Sequence, residues 1–84
     1  MAADKIYAAV CSRVALLLKQ ERERRKLSLN RVAQKAGLSR QTISFIENEL
    51  RTPNLETLLR ITSALETDLE KIIAQARQLP KDKG

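Results

Sequence analysis

Histidine and tryptophan are absent from these 84 residues, and cysteine, methionine, tyrosine and phenylalanine occur once each. With no histidine and a lone Cys11, the chain has no Ser-His-Asp set, no Cys-His pair and no zinc cluster. Neither an enzyme nor a metal or other cofactor is therefore expected. A single cysteine also excludes an internal disulfide and suits a reducing cytoplasm. Two Gly and two Pro leave too few turn residues for an all-β fold. Aromatics make up 2% (Tyr7 and Phe45), so a core must be built from Leu, Ile, Val and Ala. No apolar stretch, the run at 14–18 included, approaches the length needed to span a bilayer. The N-terminus lacks the cationic-then-apolar layout of a signal peptide. These absences leave a small, single-core helical binding domain in the cytoplasm, with no membrane partner.

What is present in excess is positive charge, and it is unevenly placed. The formal net charge is +6, from 16 Lys and Arg against 10 Asp and Glu. Residues 1–51 hold 11 basic and 5 acidic side chains, whereas residues 52–84 hold 5 of each. Residues 19–40 alone hold 8 basic and 2 acidic groups. Such a block is the electrostatic footprint of a nucleic-acid binder, and it is equally the composition of a solvated helix end.

Five helices follow from spacing and caps. Asp4 is expected to cap the first, which runs to about residue 26 with Ile6, Val10, Val14, Leu17 and Leu18 at three- and four-residue steps. Ser28 suits the N-cap of a second helix, with Leu29, Val32, Ala33 and Ala36 on one side, and Gly37 suits its left-handed end. Ser39 caps a third, from 40 to about 49. Asn54 caps a fourth with Leu55, Leu58, Leu59, Ile61 and Leu65, and Asp68 caps a fifth with Leu69, Ile72, Ile73 and Ala76. Cys11 reads as a packed or half-packed small hydrophobe.

Residues 29–49, LNRVAQKAGLSRQTISFIENE, form a unit. Ala33 is small enough for a close helix crossing, Gly37 permits the turn, and Val32, Leu38, Ile43 and Ile46 fill the angle. This spacing is that of a helix-turn-helix, whose second helix enters the major groove. At about 100° per residue, Arg40, Ser44, Asn48, Gln41 and Phe45 fall within one arc of the third helix, opposite Ile43, Ile46 and Glu47. The first set is offered to a partner and the second packs.

The stretches LSLNRVAQKAGLSRQTISFIEN and PNLETLLRITSAL, in a five-helix order, resemble the phage-repressor and Cro (XRE) type of helix-turn-helix regulator over roughly residues 13–73. The resemblance implies an all-α, five-helix bundle of the lambda-repressor-like DNA-binding type, with its helix-turn-helix at about 28–49. It implies double-stranded DNA as partner, read as a homodimer on a palindromic operator, and a role as a transcription regulator, a repressor among them. On the matching positions, Arg40, Gln41, Ser44 and Phe45 are expected to contact bases. Arg40 suits the O6 and N7 acceptors of guanine, Gln41 suits adenine, and Phe45 either presses on a thymine methyl or folds back onto apolar surface. Ser39, Asn48 and Arg51 are expected at phosphates. Gln34, Arg31 and Lys35 flank the DNA backbone or stand solvated. The resemblance also pairs Arg22 with Glu47, a structural ion pair that spares a core-facing carboxylate from burial alone.

The sequence departs from that pattern in three places. Leu29 stands where a glutamine is frequent, and Glu49 stands where a small glycine is frequent. The first helix also begins about seven residues early. Residues 1–79 are expected to form one domain, with 1–12 as an N-terminal helix extension and 80–84 as a disordered tail. The homodimer is expected to use helix five or that extension. A bacterial or phage cytoplasmic protein, nucleoid-associated when bound, fits this picture. The rival is an antitoxin-type protein that binds a toxin partner and autoregulates its operon.

Overall fold

The computed structural model describes residues 2–78, with side chains from residue 5 onward. Among the described residues there are five helices and no strand: α1 (Ala2–Arg24), α2 (Leu29–Ala36), α3 (Arg40–Glu47), α4 (Leu55–Ala64) and α5 (Leu69–Arg77). The all-α, five-helix order is the expected one. The expected tail at 80–84 and the expected capping side chain of Asp4 lie outside the described residues. The α1 backbone is already helical from Ala2, ahead of Asp4.

Three helices start as their cap residues dictate. Ser28 Oγ accepts from the Arg31 amide at 3.0 Å, Ser39 Oγ from the Thr42 amide at 3.0 Å, and Asn54 Oδ1 from the Thr57 amide at 2.8 Å. Each such cap contributes about 1 kcal/mol. Asp68 departs from expectation. It occupies the N-cap position of α5 without a side-chain cap bond, and its carboxylate lies 3.8 Å from Lys71 Nζ instead.

Four helix ends share one device, a left-handed residue followed by an amide that reaches back five positions. The left-handed residues are Lys26, Gly37, Glu49 and Glu66, with φ of 59°, 71°, 60° and 56°. The closing bonds are Leu27 to Arg22, Leu38 to Ala33, Leu50 to Phe45 and Thr67 to Thr62, at 2.8 to 3.0 Å. Consequently α1 stops at Arg24 rather than about 26, and α3 at Glu47 rather than about 49.

The core is aliphatic. Val14 and Leu18 of α1, Val32, Ala33 and Ala36 of α2, and Ile43 and Ile46 of α3 are buried with Ile61, Ala64, Leu65, Ile72 and Ala76. Val10, Leu17, Leu29, Leu38, Leu58 and Ile73 pack against them. Leu55 and Leu59, expected inside, are 65% and 50% exposed. With Leu58 at zero on a helical projection, the buried Ala64, Ile61, Leu65 and Thr62 span about 240° to 40°, which leaves Leu55 and Leu59 beyond the edge. Thr62 is tolerated inside because its hydroxyl donates to the Leu58 carbonyl at 2.9 Å. Cys11 is exposed rather than packed. Its stretch of α1 borders an open groove, and one turn earlier Ile6 and Tyr7 are 53% and 65% exposed.

Candidate nucleic-acid interface

The α2–α3 pair is built around Gly37. Its φ of 71° places the chain where an L-residue is strained, and a Cβ there would stand 3.1 Å from Arg60 Nη1. Arg60 reaches the turn from α4 and donates to the Ala36 carbonyl at 3.3 Å, one of the carbonyls that α2 leaves open at its end. Nothing in the sequence marked Arg60 for this role. Its visible signal is Glu56 one turn earlier, to which it is also bound at 2.9 Å.

Ile43 and Ile46, 1% and 2% exposed, anchor α3 by one face. Glu47 completes that face. Arg22 Nε donates to Glu47 Oε2 at 2.7 Å and Arg22 Nη2 to Oε1 at 3.0 Å, a two-pronged pair whose side chains are 13% and 7% exposed. Arg22 Nη1 also donates to the Leu27 carbonyl at 2.9 Å. The carboxylate holds the Arg22 charge more firmly than usual, raising its pKa through the hydrogen bond despite partial burial. The end of α1 and the end of α3 are thereby joined through one guanidinium.

The opposite face of α3 is open. Arg40 and Gln41 are exposed and make no side-chain hydrogen bond among the described residues, while Ser44 and Phe45 are half-buried. Arg51, from the loop after α3, lies over the Phe45 ring at 5.4 Å from its centroid, a cation–π contact. Phe45 thus has a neighbour on its own surface. Asn48 is turned along the helix, its Nδ2 donating to the Ser44 carbonyl at 2.9 Å. The Ser39 hydroxyl is engaged twice, by the Thr42 amide and by Thr42 Oγ1 at 2.7 Å. Arg31 and Gln34 lie on the exposed side of α2, linked by a long 3.4 Å contact. On α3 the free amide and guanidinium groups are therefore those of Arg40 and Gln41, and the Arg51 guanidinium stands over Phe45.

The helix-turn-helix family model matches residues 18–72, which takes in the end of α1, all of α2 to α4 and the start of α5. No curated protein and no solved structure matches the chain.

Proposed function

The chain belongs to the helix-turn-helix family of the XRE type, a family of DNA-binding transcriptional regulators, and from that premise we propose that it reads a palindromic operator as a homodimer and acts as a repressor. In this reading α3 lies in the major groove. Arg40 takes the O6 and N7 of a guanine, Gln41 takes an adenine, and Ser44 and Phe45 meet the neighbouring base edges. Ser39, Asn48, Arg51, Gln34 and Arg31 meet phosphates. Asn48 and Ser39 would do so with what their intrahelical bonds leave free, Ser39 chiefly through the α3 N-terminus. The observation that carries the proposal is the pair of unpartnered, exposed side chains, Arg40 and Gln41, on the first turn of a helix whose other face is locked into the core.

Two half-sites about 34–36 Å apart suit a two-fold dimer. We place its contact on α5 or the N-terminal extension, supported by the exposure of Ile6 and Tyr7. Among the described residues no helix is long and apolar enough to cross a membrane, and the cytoplasm is the proposed location. The antitoxin-type reading draws on a different observation. Leu55 and Leu59 leave apolar surface on α4 that a protein partner would cover.

Selection from random duplex DNA at near-physiological salt tests the proposal, with wild type beside Arg40→Ala/Gln41→Ala. An enriched palindrome that the double variant loses supports it. No enrichment, with weak salt-sensitive binding only, refutes it and makes capture of a second small protein the next experiment.

A further inference from the structure

Glu49 is the one acidic side chain between α3 and α4. It follows Asn48 and precedes Arg51 by two positions, so its negative charge sits in the loop proposed to meet phosphates, where it opposes binding. Its side chain is turned away toward α1, and Oε1 accepts from Ser12 Oγ at 2.6 Å. A groove of about 420 Å³ separates Ala8, Cys11 and Ala15 of α1 from Arg51, Thr52 and Pro53. Among the described residues, Ser12 to Glu49 is the side-chain hydrogen bond that bridges α1 and this loop. At the near end, Glu49 holds φ at 60° while its amide and that of Leu50 bond back to Ile46 and Phe45 at 3.1 and 2.8 Å.

We infer that Ser12 and Glu49 form a latch that keeps the carboxylate off the DNA backbone and holds the loop that presents Arg51. The inference rests on the DNA-binding reading above and adds a regulator of affinity to it. Glu49 lowers the affinity for every sequence, and Ser12 is the positioning residue that limits how strongly it does so. Neither residue reads bases, so both act without changing sequence preference.

The test is binding by fluorescence anisotropy to an operator duplex and a scrambled duplex, at low and high salt. Wild type, Ser12→Ala, Glu49→Gln and the double variant are compared. Ser12→Ala is expected to weaken both duplexes alike by about three- to tenfold at low salt, and by less at high salt as the freed carboxylate is screened. Glu49→Gln, whose amide oxygen still accepts from Ser12, is expected to tighten both by about threefold. In the double variant the share of that loss due to the freed carboxylate disappears, so Ser12→Ala costs less there than in the wild-type background. An equal loss in both backgrounds, or none in either, overturns the inference.

Amide exchange at Glu49 and Leu50 in the free protein tests the latch without DNA. Ser12→Ala is expected to speed it by about threefold or more while the amides within α2 are unmoved. Unchanged exchange removes the latch whatever the DNA results. Faster exchange in a protein that binds no DNA keeps the tether, discards the affinity role, and overturns the DNA reading itself.

Discussion

Replacing Glu47 by Ala tests how the interface is held. The pair with Arg22 is two-pronged, at 2.7 and 3.0 Å, with side chains 13% and 7% exposed. Removing one partner of a buried pair costs about 3–5 kcal/mol, because the other charge is left in a poorly hydrated place. Arg22 retains the Leu27 carbonyl and lies at the rim of the core, so the lower figure applies, about 3 kcal/mol. A chain of this length has a total stability of roughly 4–12 kcal/mol, at about 0.05–0.15 kcal/mol per residue. At about 4–8 °C per kcal/mol for a domain of this size, the midpoint falls by about 12–24 °C. Thermal and urea unfolding followed by circular dichroism measure this for wild type, Glu47→Ala, Arg22→Met and Arg22→Met/Glu47→Leu. The double variant is expected to recover most of the loss, since apolar side chains of similar volume carry no stranded charge. A cost below about 1 kcal/mol for Glu47→Ala, the level of a surface ion pair, refutes this account.

Three further outcomes follow from the geometry. Arg40→Ala should lose about 1–3 kcal/mol on the operator and relax preference at one base pair, whereas Arg51→Ala should weaken all sequences alike and lower the salt slope by about one; binding titrations on matched and mismatched duplexes separate the two, and identical losses refute the division. Gly37→Ala should cost about 1–2 kcal/mol from the left-handed backbone, with Arg60 displaced from the Ala36 carbonyl, and unfolding curves that superpose on wild type contradict it. Glu21 has its pKa lowered from 4.5, first by the hydrogen bond from Arg24 and then by Arg25. A depressed carboxylate stabilises above its unfolded pKa and loses that contribution as pH falls through the folded one. The stability gap between wild type and Glu21→Gln should therefore be full at neutral pH and close below about pH 4.5; a gap that widens on acidification reverses the sign and refutes it.

Much of this architecture was legible in the sequence because it rests on period and caps. Ser28, Ser39 and Asn54 have side-chain oxygens that cap the following helix wherever the backbone turns, so three helix starts could be placed from residue type alone. Helix ends were less legible for the same physical reason. Glycine marks a left-handed cap because it carries no steric penalty, yet only Gly37 announces itself among the four. Lys26, Glu49 and Glu66 adopt the same conformation at a steric cost that their closing hydrogen bonds and tertiary contacts offset. Glu66 illustrates this, with Arg25 Nη2 donating to its carbonyl at 3.3 Å and Lys35 Nζ lying 3.6 Å from its carboxylate. The exposure of Leu55 and Leu59 was hidden because five apolar residues on a ten-residue helix do not say which arc faces inward. The arc that packs includes Thr62, a polar residue that burial tolerates only because its hydroxyl bonds a carbonyl of its own helix. The Ser12–Glu49 bond crosses 37 positions, and no local pattern encodes it.

The proposed interface and the core meet in α3, and this decides how affinity data should be read. Eight residues are too few for a stable isolated helix, for which roughly 12–15 are marginal. The directions of Arg40, Gln41 and Ser44 are therefore set by Ile43, Ile46 and the Arg22–Glu47 pair rather than by helix propensity. A core substitution has two routes to weaker binding, fewer folded molecules or a tilted α3. Population alone is a weak route: with about 2 kcal/mol of stability remaining, roughly 97% of molecules are folded and the apparent Kd rises by only a few per cent. If Glu47→Ala remains folded at low temperature and still loses about tenfold in affinity, the loss must come from orientation. Arg40→Ala offers the opposite control, since an exposed side chain without partners should leave stability within about 0.5 kcal/mol while removing the base contact proposed for it. Affinity lost with stability intact, together with a preference relaxed at one base pair, places a residue on a base edge. Affinity lost in proportion to a calculated folded fraction places it in the core, and affinity lost beyond that fraction identifies a residue that aims the helix.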